Sequence, residues 1–148
     1  MQNEAPIGRL TTRAAVVEFM TAGNATLTLK SERTGNRFTY KVRESADRQV
    51  HFVSVLTGSD NESNYHYLGV IRDRAFSHGR KSKISESAPA AMAFHWFHAN
   101  LQTGRLPAEL QVWHEGRCGR CARKLTVPES VERGLGPECA SRMMCEAA

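Results

Sequence analysis

The chain has 148 residues, of which 41% are hydrophobic and 24% are charged, and its formal net charge is +5. This length suits one domain with a real apolar core, or one domain with a small appendage. No stretch approaches the roughly 18 apolar residues of a membrane-spanning helix, and the N-terminus lacks the basic patch and apolar core of a secretory signal. We therefore expect a cytoplasmic protein without a membrane partner, and the positive charge modestly favours polyanionic partners.

Residues 1–10 are predicted to be an unstructured lead-in, followed by a short helix over 13–22. Thr11 or Thr12 can cap the helix N-terminus, and Gly23 can end the helix in the left-handed conformation. The apolar residues of this segment fall on one stripe, which is typical of a helix that packs against a core.

The next part of the chain predicts four consecutive strands joined by polar turns. Apolar and polar residues alternate in the first two strands, which gives one face for the core and one for solvent. Consecutive strands with short connections pair antiparallel, so we expect a four-stranded antiparallel meander. Its strands are predicted over 25–30, 38–43, 50–56 and 65–71.

The segment 71–83 is the most basic part of the meander region, with five basic residues against one acidic residue. Its glycine and serine content predicts a loop. One interpretation is a solvated surface loop. The other is a loop that contacts phosphates, because arginine and lysine neutralise phosphates while Phe76 can stack on a base. The basic residues are Arg72, Arg74, Arg80, Lys81 and Lys83.

A second helix is predicted from Ser87, which can cap its N-terminus, to about Gln102. His95 and His98 lie three residues apart on this helix, but no cysteine or carboxylate stands within one turn of them. We therefore predict packing or surface positions for both, not metal binding. Four apolar residues share one helical face that should cover the sheet, namely Ala90, Phe94, Phe97 and Leu101.

Three of the four cysteines follow a predicted short strand over 108–113, in the spacing H-x3-C-x2-C-x17-C. Zinc prefers four thiolate or imidazole ligands in a tetrahedron, and a C-x2-C turn places two sulfurs on one ion. Cys118 and Cys121 form this knuckle, and Cys139 follows a proline that can open a helix. The pattern predicts a structural zinc site in a treble-clef-like or zinc-ribbon-like finger.

The fourth zinc ligand is predicted to be His114, which lies four residues before Cys118. Cys145 is the second candidate and a distant histidine the third. Cys145 is disfavoured because six residues of helix would separate it from Cys139 by about 9 Å along the axis. A closed site of three cysteines and a histidine is structural, and the signature of the zinc deaminases is missing. Unmetallated cysteines and a redox pair are the remaining alternatives.

Residues 118–140 read C-G-R-C-A-R-K-L-T-V-P-E-S-V-E-R-G-L-G-P-E-C-A. This run resembles an uncharacterised family of zinc-binding domains from bacteriophages, actinobacteria and mobile elements, with the pattern C-x-R-C-G-R-x-L-T-x-P-E-S followed by G-x-G-P-x-C. The resemblance covers residues 113–142. It implies zinc ligands at Cys118, Cys121 and Cys139, and no known activity. Ala122 stands where the family has glycine, a small change that we do not expect to disturb the metal.

Basic residues also surround the knuckle, where they can donate to the thiolates or present a polyanion-binding face. They are Arg117, Arg120, Arg123 and Lys124.

The sequence thus predicts an α+β domain over 11–106 and a zinc-finger module over 107–148, with the break at Arg105–Pro107. No catalytic motif is present, so we expect a non-enzymatic protein without a small-molecule substrate. The first functional hypothesis is a phage or mobile-element protein in the host cytoplasm that binds DNA or RNA through the basic loop and the knuckle. The alternative is a protein-interaction factor that inhibits or redirects a host defence or replication protein.

Overall fold

The computed structural model describes residues 8–57, 65–122, 125 and 134–136. These residues form one antiparallel sheet of seven strands and two helices, so the α+β class is confirmed. The elements in chain order are β1 (Arg9–Leu10), α1 (Arg13–Met20), β2 (Asn24–Ser31), β3 (Arg37–Glu44), β4 (Val50–Leu56), β5 (Tyr65–Arg72), β6 (Ala75–His78), α2 (Pro89–Gln102) and β7 (Leu110–His114). The strand order across the sheet is β1-β7-β2-β3-β4-β5-β6.

The predicted meander is present as β2 to β5, in which each strand pairs antiparallel with the next. Leu27 lies opposite Tyr40, Tyr40 lies opposite Val55, and all three are buried. The Tyr40 hydroxyl donates to the carbonyl of Ala90 in α2 at 2.7 Å, so this face of the sheet is the one that the helix covers. Successive side chains of a strand point to opposite faces, and the other face therefore points away from α2.

The sheet is wider than predicted because β1, β6 and β7 extend the meander on both sides. The predicted strand before the knuckle is β7, and it pairs with β2 on one side and with β1 on the other. Arg9–Leu10, at the end of the segment predicted to be unstructured, form β1. The division of the chain near residue 106 stays a prediction, although β7 belongs to the same sheet as the meander.

The prediction of a continuous loop over 71–83 is wrong, since Ala75–His78 form β6 and pair with β5. The connecting turn is Asp73–Arg74, and both residues have positive φ, 51° and 67°. Two successive left-handed residues produce the tight turn whose twist matches a hairpin. Phe76 is the buried residue of the strand, and its ring lies 4.9 Å from that of Phe94 in α2. Packing against α2 therefore outweighs the glycine and serine content that predicted a loop.

Both predicted helices are present. Thr12 caps α1 by accepting the backbone N–H of Ala15, as predicted for one of the two threonines. The cap predicted for α2 is wrong, because Ala88 occupies the N-cap position and Pro89 begins the helix. Three residues of the predicted α2 face, Phe94, Phe97 and Leu101, are buried, whereas Ala90 is half-buried. Ala91 and His98 are buried with them.

Neither described helix is long and apolar enough to cross a membrane.

Candidate metal centre

The turn that carries Cys118 and Cys121 follows β7 directly and is hydrogen-bonded to the α1–β2 connection. The N–H of Asn24 donates to the carbonyl of Gly119 at 2.7 Å, and the N–H of Gly119 donates to the carbonyl of Gly134 at 2.8 Å. We call residues 116–122 the knuckle. Backbone hydrogen bonds thus hold the knuckle between the start of the meander and the segment that precedes Cys139.

The sulfur of Cys118 lies in a site that stabilises a thiolate. Cys118 is buried, and it packs with Ala22, Leu125 and Leu135 in a small apolar cluster. Burial raises the pKa of its thiol, but hydrogen bonds from backbone N–H groups and from the Cys121 side chain outweigh burial and leave that pKa below its usual value. The thiolate is the form of cysteine that binds metals. The backbone donors belong to Gly136, Cys121 and Arg120, the last at 3.4 Å.

The hydrogen bond from Gly136 ties the segment before the downstream cysteine to the Cys118 sulfur. Cys139, the third predicted ligand, follows Gly136 by three positions in the sequence and lies outside the described residues. Cys121 is exposed and contacts the Cys118 sulfur, so it can turn toward the same ion. The donor set at the knuckle therefore fits zinc.

His114, the predicted fourth ligand, lies at the end of β7 and its ring packs against α1. Its ring is buried at the end of β7, with its centroid 5.5 Å from that of Phe19. Its Nδ1 accepts the backbone N–H of Gly116 at 2.9 Å, which puts the proton of the neutral ring on Nε2. The described residues contain no group of three potential metal ligands, so the structure does not bring His114 together with both cysteines. His114 as the fourth ligand stays a prediction, as does Cys145, which lies outside the described residues.

Ala122 in the knuckle stands where the resembling family has glycine, and its backbone has a conformation that glycine adopts easily. Ala122 has a φ of +64°, and its N–H donates to the carbonyl of Cys118 at 2.8 Å. Left-handed φ costs an alanine about 1–2 kcal/mol but costs glycine almost nothing. The Arg117 guanidinium donates to the Ala122 carbonyl at 3.1 Å and so holds the turn from outside.

We expect Gly119→Ala to destabilise the protein by about 1–3 kcal/mol, because overpacked sites strain their neighbours. A Cβ at this position would lie 2.7 Å from Cδ1 and 2.9 Å from the carbonyl oxygen of Phe19, whose side chain is fully buried. Gly136→Ala is the matched control, since a Cβ there meets no atom of the described residues within 4 Å. Urea unfolding of both variants measures the difference; equal stabilities would contradict the docking of the knuckle on α1.

The predicted nucleic-acid residues are separated into groups by the fold. Arg72 and Arg74 lie where β5 turns into β6, at the end of the sheet where β7 leads into the knuckle with Arg117 and Arg120. Arg80, Lys81 and Lys83 follow β6 instead, in the connection to α2. Six of these seven residues are exposed and Arg120 is half-buried. The described residues place no carboxylate within salt-bridge distance of the six exposed ones. Arg123 and Lys124 lie outside the described residues.

Residues 108–144 match a family of unknown function (DUF6011). The matched region begins just before β7 and includes the knuckle and Cys139, and it is a minority of the chain. No curated protein and no solved structure matched the chain significantly. The family description names no activity and no ligand.

Sequence reasoning missed one surface, the face of the sheet that points away from α2. Lys41 of β3 lies there, with its Nζ 4.2 Å above the ring of Tyr65 of β5. The alternation of polar residues in single strands was visible in the sequence, but the pairing of distant strands that collects them on one face was not.

Proposed function

We propose that this chain is a small, non-enzymatic zinc protein of phage or mobile-element origin that binds nucleic acid. Zinc binding is supported by the hydrogen bonds at Cys118. Its sulfur accepts hydrogen bonds from backbone N–H groups of the knuckle and of Gly136. N–H groups that converge on a sulfur are suited to a thiolate bound to a metal. Zinc at this point would cross-link the knuckle to the segment that contains Cys139, and its role would be structural.

The zinc ligands in this proposal are Cys118, Cys121 and Cys139, with one further ligand. His114 could serve only by giving up its hydrogen bond from Gly116, because neither of its nitrogens offers a lone pair in the present arrangement. This favours Cys145. His114→Gln should therefore keep about one zinc per chain by elemental analysis, and loss of zinc in that variant would identify His114 as the ligand.

Nucleic-acid binding is supported by the exposed basic side chains. The basic side chains of the β5–β6 turn and of the connection after β6 form no ion pair with any described carboxylate, so their positive charge is not neutralised in this way. Exposed arginine and lysine bind phosphates by releasing counterions, without sequence preference. Neither described helix presents an array of arginine, asparagine and glutamine that could read bases, so phosphate contacts should supply most of the affinity.

Fluorescence polarisation with labelled DNA and RNA tests this part. We expect binding at low salt, and the logarithm of the association constant should fall linearly with the logarithm of the salt concentration. The double variant Arg80→Ala/Lys81→Ala should reduce that slope by about 2, since each phosphate contact contributes about 1. Arg105→Gln, an exposed arginine after α2, is the control and should leave the slope unchanged. Absence of binding at low salt would reject nucleic acid as the partner.

A second candidate function, a factor that binds a host protein, is favoured by one observation. Met92 and Trp96 lie four residues apart on the outward side of α2 and are 58% and 49% exposed. Each lines two adjoining grooves, one toward Phe38 and one toward Phe76. Exposed aromatic and methionine side chains are enriched at protein interfaces. A pull-down from host lysate with and without nuclease separates the two functions, because only a nucleic-acid link is lost after digestion.

A further inference from the structure

The face of the sheet that points away from α2 forms a continuous surface across the sheet. We call it the outer face and define it by its register. One row runs Thr26, Lys41, Ser54, Tyr67 through β2 to β5. Two neighbouring rows on one side of it reach β7, where Trp113 lies opposite Thr28 and Gln111 lies opposite Lys30. Most of these side chains are half-buried against one another, and both described helices pack on the opposite face.

The charged residues at the register positions of the outer face in β1 to β7 are all basic. Two acidic groups lie beside the face. Glu32 forms an ion pair with Arg9 at 3.7 Å, and Glu115, directly after β7, is close enough to Tyr65 to raise the pKa of its hydroxyl. The basic positions reach from one edge of the sheet toward the other. They are Arg9, Lys30, Arg37, Lys41, Arg43 and Arg72.

Aromatic side chains lie between these basic residues. Phe52 is paired with Arg43 and is 44% exposed. The Trp113 indole is held in place by donating from Nε1 to Oε1 of Gln111 at 3.1 Å. The Tyr65 ring lies under the Lys41 ammonium, and burial, followed by the charge of Glu115, raises the pKa of its hydroxyl to about 12, so it adds no negative charge at neutral pH.

The outer face continues into the basic connection after β6. A Cβ on Gly79 would lie 2.4 Å from the Tyr67 ring, and the Ser82 hydroxyl donates to the Tyr67 carbonyl at 2.7 Å. This connection therefore packs against the outer face at Tyr67. Arg80 and Lys81, between these two contacts, extend the positive surface beyond the sheet.

We infer that the outer face binds single-stranded nucleic acid, with phosphates on its basic residues and bases stacked on its aromatic rings. The inference rests on the proposed nucleic-acid binding and adds the form of the ligand and its site. A sheet surface with interspersed rings can stack unpaired bases, whereas the bases of a duplex are already stacked on each other. Acidic protein partners would match the charge but would not require the rings.

Two single-tryptophan variants test the site. Trp96→Phe leaves Trp113 on the outer face as the only tryptophan, and Trp113→Phe leaves Trp96 on α2. Oligothymidine or oligouridine of about 16 nucleotides should quench the fluorescence of the Trp96→Phe protein and leave that of the Trp113→Phe protein nearly unchanged. The reverse pattern, or equal quenching, would overturn the inference.

Measured binding affinities test two points, the preference for single strands over duplex and the contribution of the aromatic rings. We expect single strands to bind about tenfold or more tightly than a duplex of equal length. Phe52→Ala should weaken single-strand binding about tenfold, in line with the loss of one stacked base. Met92→Ala, which removes an exposed apolar side chain from α2 instead, should not weaken it. Circular dichroism and melting curves establish that each variant is folded.

The outcomes separate this inference from the proposed function. Equal affinity for duplex and single strand, with no effect of Phe52→Ala, overturns the outer-face inference while nucleic-acid binding itself stands. No binding of any nucleic acid at low salt overturns the proposed function and the inference together.

Discussion

Cys118→Ser should abolish zinc binding and unfold the region around the knuckle. Serine is a poor zinc ligand, and its hydroxyl cannot replace the buried sulfur that accepts N–H groups from Arg120, Cys121 and Gly136. Structural zinc contributes roughly 10–16 kcal/mol of binding free energy in zinc-finger peptides, so little of the local structure should survive its loss. Elemental analysis should fall from about one zinc per chain to near zero, and the melting temperature should fall with it.

The control for this variant is Ala122→Gly, in the same turn. It keeps every sulfur and relieves the left-handed φ of +64°, so it should bind zinc fully and gain about 1 kcal/mol of stability. Addition of a strong chelator to the unaltered protein should reproduce the Cys118→Ser melting curve. A Cys118→Ser protein with full zinc content would reject the metal site.

Phe94→Ala should cost about 3–5 kcal/mol of unfolding free energy, the range for removal of a buried aromatic ring. Phe94 has no exposed surface, and its ring lies 4.9 Å from those of Tyr40 and Phe76 and 5.7 Å from that of Phe97. It therefore joins α2 to the meander and to β6 at once. Domains have only about 5–15 kcal/mol of stability, so the loss should be visible as partial unfolding at physiological temperature.

Met92→Ala is the matched control, on the same helix but 58% exposed, and it should change stability by less than about 0.5 kcal/mol. Urea denaturation followed by far-UV circular dichroism measures both variants. If Phe94→Ala were as stable as Met92→Ala, the packing of α2 on the Tyr40 face of the sheet would be wrong.

The sequence predicted those parts of the fold that depend on residues close together in the chain. Alternation over a few residues identified β2 and β3, apolar segments between polar turns identified β4 and β5, and the apolar stripes identified both helices. The hairpin to β6 was missed because its turn, Asp73–Arg74, reaches positive φ without glycine or asparagine. The position of β7 between β1 and β2 was missed because strand order depends on pairing between residues far apart in the chain.

The candidate site divides in the same way. The spacing of Cys118 and Cys121 identified the knuckle because both cysteines belong to one local turn. The orientation of His114 could not be predicted, since it depends on a hydrogen bond from Gly116 and on the ring of Phe19 from a distant helix. The outer face was missed because Lys41, Tyr65 and Trp113 become neighbours of one surface only after the sheet has formed.

The position of β7 has a consequence for the order of events during synthesis. β2 is made early, yet one of its two partners leaves the ribosome only after α2, when Leu27 can finally pair with His114. Until then the β2 edge presents unpaired N–H and C=O groups, and an open edge of this kind invites pairing with other chains. β1 has β7 as its partner among the described strands and must wait equally long. A chain that ends near residue 106 would keep both edges open permanently, and we expect such a fragment to aggregate.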